Sequence, residues 1–157
     1  MRVLGIDLGG KVSGWGAVSG GQRIASGAWT FGPWRAGVVL PSLIVAKAVE
    51  LRCDRLAFEA VPFHQSAAAA HEHGELRGCV YTAAALLGLP APIEVITSVL
   101  KKVATGRGNA KKPMVVEAAR ERWGVIARLE DEAEGLWCAV AGETLATQES
   151  QGGLAWP

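Results

Sequence analysis

The hydrophobic pattern opens with Val3-Leu4-Gly5-Ile6, an almost unbroken apolar run that predicts a buried central strand and meets a carboxylate at Asp7. Gly9-Gly10 allows a tight turn, and Ser13 to Val18 predicts a second strand paired back on the first. A further turn at Gly20-Gly21 leads into a third strand over Gln22 to Phe31, and Gly32-Pro33 breaks the meander. Apolar residues then recur at helical spacing over Pro41 to Cys53, with the proline suited to a first turn. Arg55 to Val61 predicts a fourth strand, and its one carboxylate, Glu59, falls near its end as Asp7 does in the first. After Pro62, an alanine-rich helix is expected over Ala67 to Leu87, closed by Gly88 and Pro90. Its apolar face, Leu76, Val80, Ala83, Ala84 and Leu87, could cover a sheet or meet another helix. A short strand at Pro92 to Thr97, a short helix at Ser98 to Ala104, a helix from Met114 to Trp123 opened by Pro113, and a last helix from near Glu130 through Ala141 complete the pattern.

Composition narrows this picture. A chain of 157 residues suits one domain, expected over 1–147 with a loosely held tail at 148–157. No apolar run reaches the roughly 18 residues of a membrane span, and the first apolar segment contains Asp7, unlike a signal peptide. A soluble, intracellular protein, with no membrane partner, is the expectation. Cys53, Cys79 and Cys138 form no closely spaced pair, which favours free thiols over a metal site.

The net charge is only +1, but it is unevenly placed. Residues 98–124 carry 7 basic and 2 acidic side chains, whereas residues 125–157 carry 1 basic and 6 acidic. A basic segment directly before an acidic one is what a site needs if it must hold phosphates beside metal-binding carboxylates.

Four acids are set among apolar residues inside predicted elements: Asp7, Glu59, Asp131 and Glu134. A buried carboxylate without a partner is unfavourable, and convergence on divalent cations would offset that cost for all four. Asp131 and Glu134, three apart, emerge on one side of the last helix. Glu130 and Glu132 compete for the same role, and helix-dipole preference for acids in a first turn is the plainer explanation for any of them. Upstream, Lys101, Lys102, Arg107, Lys111 and Lys112 surround the glycines of Thr105-Gly106-Arg107-Gly108-Asn109, where backbone N–H groups and cations can approach phosphate. His71 and His73 are two apart on a helix and point away from each other, which disfavours a shared metal; His64 could reach a site from its loop.

A meander beginning GIDLG, a strand ending FE, a long helix, a short strand, a basic glycine loop and a terminal helix with DxxE resembles the RNase H-like fold, an α/β arrangement with a mixed five-stranded sheet flanked by helices. Within it, residues 1 to about 145 resemble the RuvC family of Holliday-junction resolvases, in a compact form such as bacteriophages carry. The most specific match is Lys101 to Lys112, similar to the family's K(x4)GxGxAxK segment. The resemblance implies a metal-dependent endonuclease that resolves four-way junctions or related branched DNA. It makes Asp7, Glu59, Asp131 and Glu134 the metal-binding catalytic acids, although the family usually closes this motif with aspartate. It implies Mg²⁺ with Mn²⁺ as a substitute, a homodimer presenting two sites, and DNA contacts from the basic cluster and Phe63, the residue nearest the family's wedging aromatic. The alternatives are a YqgF-like RNA-processing nuclease, a non-catalytic nucleic-acid-binding module, and a piece of an actin-like ATPase, which normally needs two such domains.

Overall fold

The computed structural model describes residues 1–61, 65–124 and 129–152. Three antiparallel strands come first, β1 (Val3–Asp7), β2 (Val12–Ser19) and β3 (Gln22–Thr30). They are followed by α1 (Ala36–Leu51), β4 (Arg55–Ala60), α2 (Ala67–Leu87), β5 (Ile93–Ile96), α3 (Thr97–Thr105), α4 (Lys112–Trp123) and α5 (Leu129–Ser150). The sheet order is β3-β2-β1-β4-β5, with β4 parallel to β1 and β5 parallel to β4. Because the chain reverses direction twice within the meander, β3 also runs with β1, and four strands end at the same edge.

Period-two alternation divides the core into two layers. Leu4, Ile6, Leu56 and Phe58 pack with α1 and α2 on one face, through Leu40, Ile44, Leu76 and Val80. Val3, Ala57, Ile93 and Val95 pack on the other face with α3, α4 and α5, through Leu100, Val115, Leu136 and Trp137. The apolar face of α2 therefore covers the sheet. Asp7 and Glu59 continue the second series and so emerge on the α5 side.

The helices differ from expectation at two places. α1 begins at Ala36, so Pro41 lies inside it rather than in its first turn. Burial at Ala36, Leu40, Ile44 and Ala48 favours the longer helix, and Pro41, lacking an N–H, frees the Gly37 carbonyl one turn back. That carbonyl accepts instead from the Cys79 thiol of α2, at 3.4 Å. α5 continues to Ser150, past the 147 boundary, because Ala141 and Ala146 stay buried against the sheet. Cys53, Cys79 and Cys138 are free thiols. Among the described residues no helix is long and apolar enough to cross a membrane.

Candidate metal centre and nucleic-acid rim

Asp7 closes β1 and Glu59 lies near the end of β4. Their preceding residues, Ile6 and Phe58, are register partners, so the two carboxylates stand side by side. The third acid comes from α5, which lies close enough for its backbone to touch the sheet. A Cβ on Gly14 would fall 1.6 Å from the Asp131 carbonyl oxygen, and one on Gly135 would fall 2.7 Å from the Cα of Trp15. Glycine on both sides of this crossing lets the first turn of α5 reach the sheet edge where β1 ends.

Glu134 is carried there. Asp7, Glu59 and Glu134 each offer a carboxylate oxygen, and these atoms lie within 4.8 Å of one another. Asp131, one turn earlier, is half-buried and stands outside that group of three. Glu132 points elsewhere. It is 4% exposed and accepts a hydrogen bond from Ser26 Oγ of β3 at 2.5 Å, while Arg23 Nε donates to the same hydroxyl at 2.8 Å. Of the two competing acids, Glu134 faces the cluster and Glu132 ties the start of α5 to β3.

The electrostatics of the three acids are those of a cluster short of positive charge. Burial first, then the charges of Glu134 and Glu59, hold the Asp7 carboxyl well above the usual 3.8. Burial also raises Glu59; a hydrogen bond from Thr97 opposes the rise, and Glu134 reinforces it. The nearest counter-charge is Lys112, whose Nζ lies 3.1 Å from Glu134 Oε2. Burial draws the Lys112 ammonium down, but Glu134, Asp7 and Glu59 outweigh it and leave it raised. Lys101 also bears on Glu59, and two ammoniums do not balance three carboxylates.

The donor set fits a hard divalent cation. All three ligands are carboxylate oxygens, the donors that Mg²⁺ and Mn²⁺ take, and their spacing matches atoms that share one small ion at roughly 2.1 Å each after slight contraction.

Two of the basic residues reach the acids, Lys112 through its ion pair with Glu134 and Lys101 through its charge on Glu59. Lys101 and Lys102 lie on α3, which leaves directly from β5, and Lys111 caps α4, where Lys112 begins. Gly106 ends α3 in the left-handed region at φ 78°, and Thr105 Oγ1 accepts from the Arg107 N–H at 3.2 Å. The loop thus turns Arg107 outward while Ala110 is buried beneath it. Lys102, Arg107, Lys111 and Lys112 are exposed and Lys101 is half-buried. Phe63 and His64 lie outside the described residues. His71 and His73 lie on α2, and no histidine belongs to the acid group among the described residues.

A mixed sheet of this order, with acids on its two central parallel strands and a helix closing over them, defines an RNase H-like fold carrying a divalent-cation type of site. No protein-family model matches the chain. A crossover junction endodeoxyribonuclease RuvC from Anaeromyxobacter dehalogenans is 36% identical over 150 residues, covering 89% of this chain and 79% of that protein. Its counterpart from Magnetococcus marinus is 30% identical over 151 residues, covering 89% and 82%. RuvC of Thermus thermophilus, solved in complex with a Holliday junction substrate, superposes with a TM-score of 0.80 at 23% identity, over 97% of this chain and 96% of that one. The chain belongs to the RuvC family.

Proposed function

We propose that this protein is a divalent-metal-dependent crossover junction endodeoxyribonuclease that hydrolyses phosphodiesters at four-way or related branched DNA. The observation that carries the reading is the closure of Asp7, Glu59 and Glu134 into one acidic group, beside a cationic edge, in a chain of this family.

We assign Asp7, Glu59 and Glu134 to hold the cation, and Asp131, one helical turn earlier on α5, to join them when a second is taken up. Bound there, such ions activate a water and stabilise charge on the leaving oxygen. The chain's own contribution is placement. Asp7, acted on by the charges of both Glu134 and Glu59, is the carboxylate assigned to set the spacing of the other two. Lys112 steadies Glu134, and Thr97 holds Glu59 by a hydrogen bond to its ionised form. Lys101, Lys102, Arg107 and Lys111 neutralise the phosphates on either side of the cut. Water adds to phosphorus, the bond to the 3′-oxygen breaks, and that oxygen leaves with a proton as a hydroxyl.

Mg²⁺ is the ion we assign, with Mn²⁺ as a substitute, because neither cysteine nor histidine stands among the three donors. Resolution of a four-way junction requires matched nicks in two strands, which a two-fold homodimer supplies with two copies of the site. The test compares a synthetic four-way junction, a flap, linear duplex and structured RNA in Mg²⁺. Preferential nicking of the junction is expected, with Asp7→Asn abolishing cleavage while retaining binding. Undiminished cleavage by Asp7→Asn, or a preference for RNA, would reject the assignment.

A further inference from the structure

The turn that joins β3 to α1 presents a large aromatic side chain in a conformation and an environment that both disfavour it. Arg35 N–H donates to the Gly32 carbonyl at 3.3 Å, closing a four-residue turn with Pro33 and Trp34 in its centre. Trp34 has φ 57°, in the left-handed region that glycine occupies readily and a bulky side chain rarely does. The indole is nevertheless 80% exposed, so its packing does not compensate for the backbone. Such an outlier marks a position where something other than the fold holds the residue in use.

Its location says what. β3 runs with β1 and β4, so the turn sits at the sheet edge where Asp7 and Glu59 emerge. The connection is direct: Phe31 N–H donates to the Lys11 carbonyl at 2.8 Å, tying the turn to the loop that follows Asp7. Exposed Arg35 accompanies the indole, its guanidinium 6.0 Å from the ring centroid, and exposed Lys11 lies in the loop to which Phe31 is tied. The strand order puts the acid cluster at the centre of this edge, α3 with Lys101 and Lys102 next to β5 on one side, and on the other the turn that leaves β3 for α1, which packs on the sheet face opposite α5. Two strand spacings separate β3 from β1, about 10 Å. At about 3.4 Å per step, that separation corresponds to about three nucleotides between a phosphate held at the acids and the end of β3, from which the turn leaves.

We infer that Trp34 is a base-stacking platform, with Arg35 beside it and Lys11 in the neighbouring loop, for a nucleotide unstacked near the branch point of the DNA whose scissile phosphate sits at the acid cluster. A nucleobase offers a flat apolar face together with an adjoining phosphate, which matches an exposed indole with a guanidinium beside it. Paired bases within a linear duplex keep their faces covered by neighbours, so the contact favours branched over linear DNA. This inference rests on the nuclease reading of the site, and its test separates the two.

The test is made in the Asp7→Asn protein, with Ca²⁺ in place of Mg²⁺, by fluorescence anisotropy on a four-way junction and on linear duplex of equal length. Adding Trp34→Ala should weaken junction binding about tenfold or more and duplex binding less than about threefold; Trp34→Phe should restore most of the loss. Trp34→Gly, which suits the turn, should lose junction affinity like alanine while melting at or above the parent temperature, so that misfolding is not the cause. 2-Aminopurine placed in turn at nucleotides around the branch should be quenched at one position by the parent and not by Trp34→Ala. Equal junction affinity of Trp34→Ala and parent, or equal losses on junction and duplex, would overturn the inference alone. A shift from dimer to monomer by sedimentation in Trp34→Ala would overturn it in favour of a contact between protein chains. Failure of the parent Asp7→Asn protein to bind the junction would bring down the nuclease reading and this inference together.

Discussion

Asp7→Asn should make the metal-free protein more stable while removing its activity. The carboxyl of Asp7 is pushed well above 3.8 by burial and by Glu134 and Glu59, so at neutral pH the fold either holds an unfavourable charge or binds a proton to be rid of it. The second route sets a ceiling. Protonating a group of ordinary value 3.8 at pH 7 costs about 4 kcal/mol at 1.36 kcal/mol per pH unit, and the penalty cannot exceed that. Repulsion argues for a value of that order: two unit charges 4.8 Å apart at an effective dielectric of 20 repel by about 3.5 kcal/mol. Lys112 offsets part of it. The amide keeps the shape of the carboxylate and still donates a hydrogen bond to Glu134. A gain of about 1–4 kcal/mol follows, equivalent to roughly 3–12 °C in Tm for a chain of this size.

The sign with pH is fixed by linkage. An acid whose folded value is raised destabilises the fold increasingly as pH climbs from its unfolded value to its folded one, and not at all below both. The advantage of Asp7→Asn should therefore be absent near pH 4 and complete above the folded value. Thermal melts in EDTA from pH 4 to 8.5 measure it. In excess Mg²⁺ the order should reverse, because only the wild type is stabilised strongly by cation binding. A mutant that melts at or below wild type in EDTA at pH 7 would refute the account of an acidic group lacking counter-charge.

Three further outcomes rest on the same geometry. Gly14→Ala must displace the start of α5, since the new methyl would overlap the Asp131 carbonyl, and should cost more than about 2 kcal/mol in chemical denaturation and abolish cleavage. Ser26→Ala removes a hydrogen bond to the buried Glu132 carboxylate and should lower stability by about 1.5–3 kcal/mol, with a higher Mg²⁺ concentration needed for half-maximal nicking. Lys111→Ala should weaken junction binding at low salt and reduce the slope of log K against log salt by about 1; an unchanged slope would take Lys111 out of the phosphate contacts.

The two acids on strands are legible in the amino-acid pattern because each interrupts an apolar run, and burial of a carboxylate demands a reason wherever it occurs. The basic loop is legible because glycines and lysines cluster within a dozen residues. Glu134 is not separable from Glu132 on those grounds. Both lie in the first turns of one helix among the same neighbours, and the choice depends on how that helix is rotated against the sheet. Nor does the sequence mark Trp34, which reads as one more aromatic beside a proline until its backbone angle and exposure are known.

Local pattern therefore determined the elements, their order and the chemistry of the acids, because periodicity, turn residues and buried charge act within a few positions of the chain. The reach of α1 back through Pro41 and the continuation of α5 to Ser150 depended on burial against distant partners. Tertiary structure alone decided which carboxylates meet. That decision was made where Gly14 and Gly135 let α5 touch the sheet, a contact between residues more than a hundred positions apart that no local rule encodes.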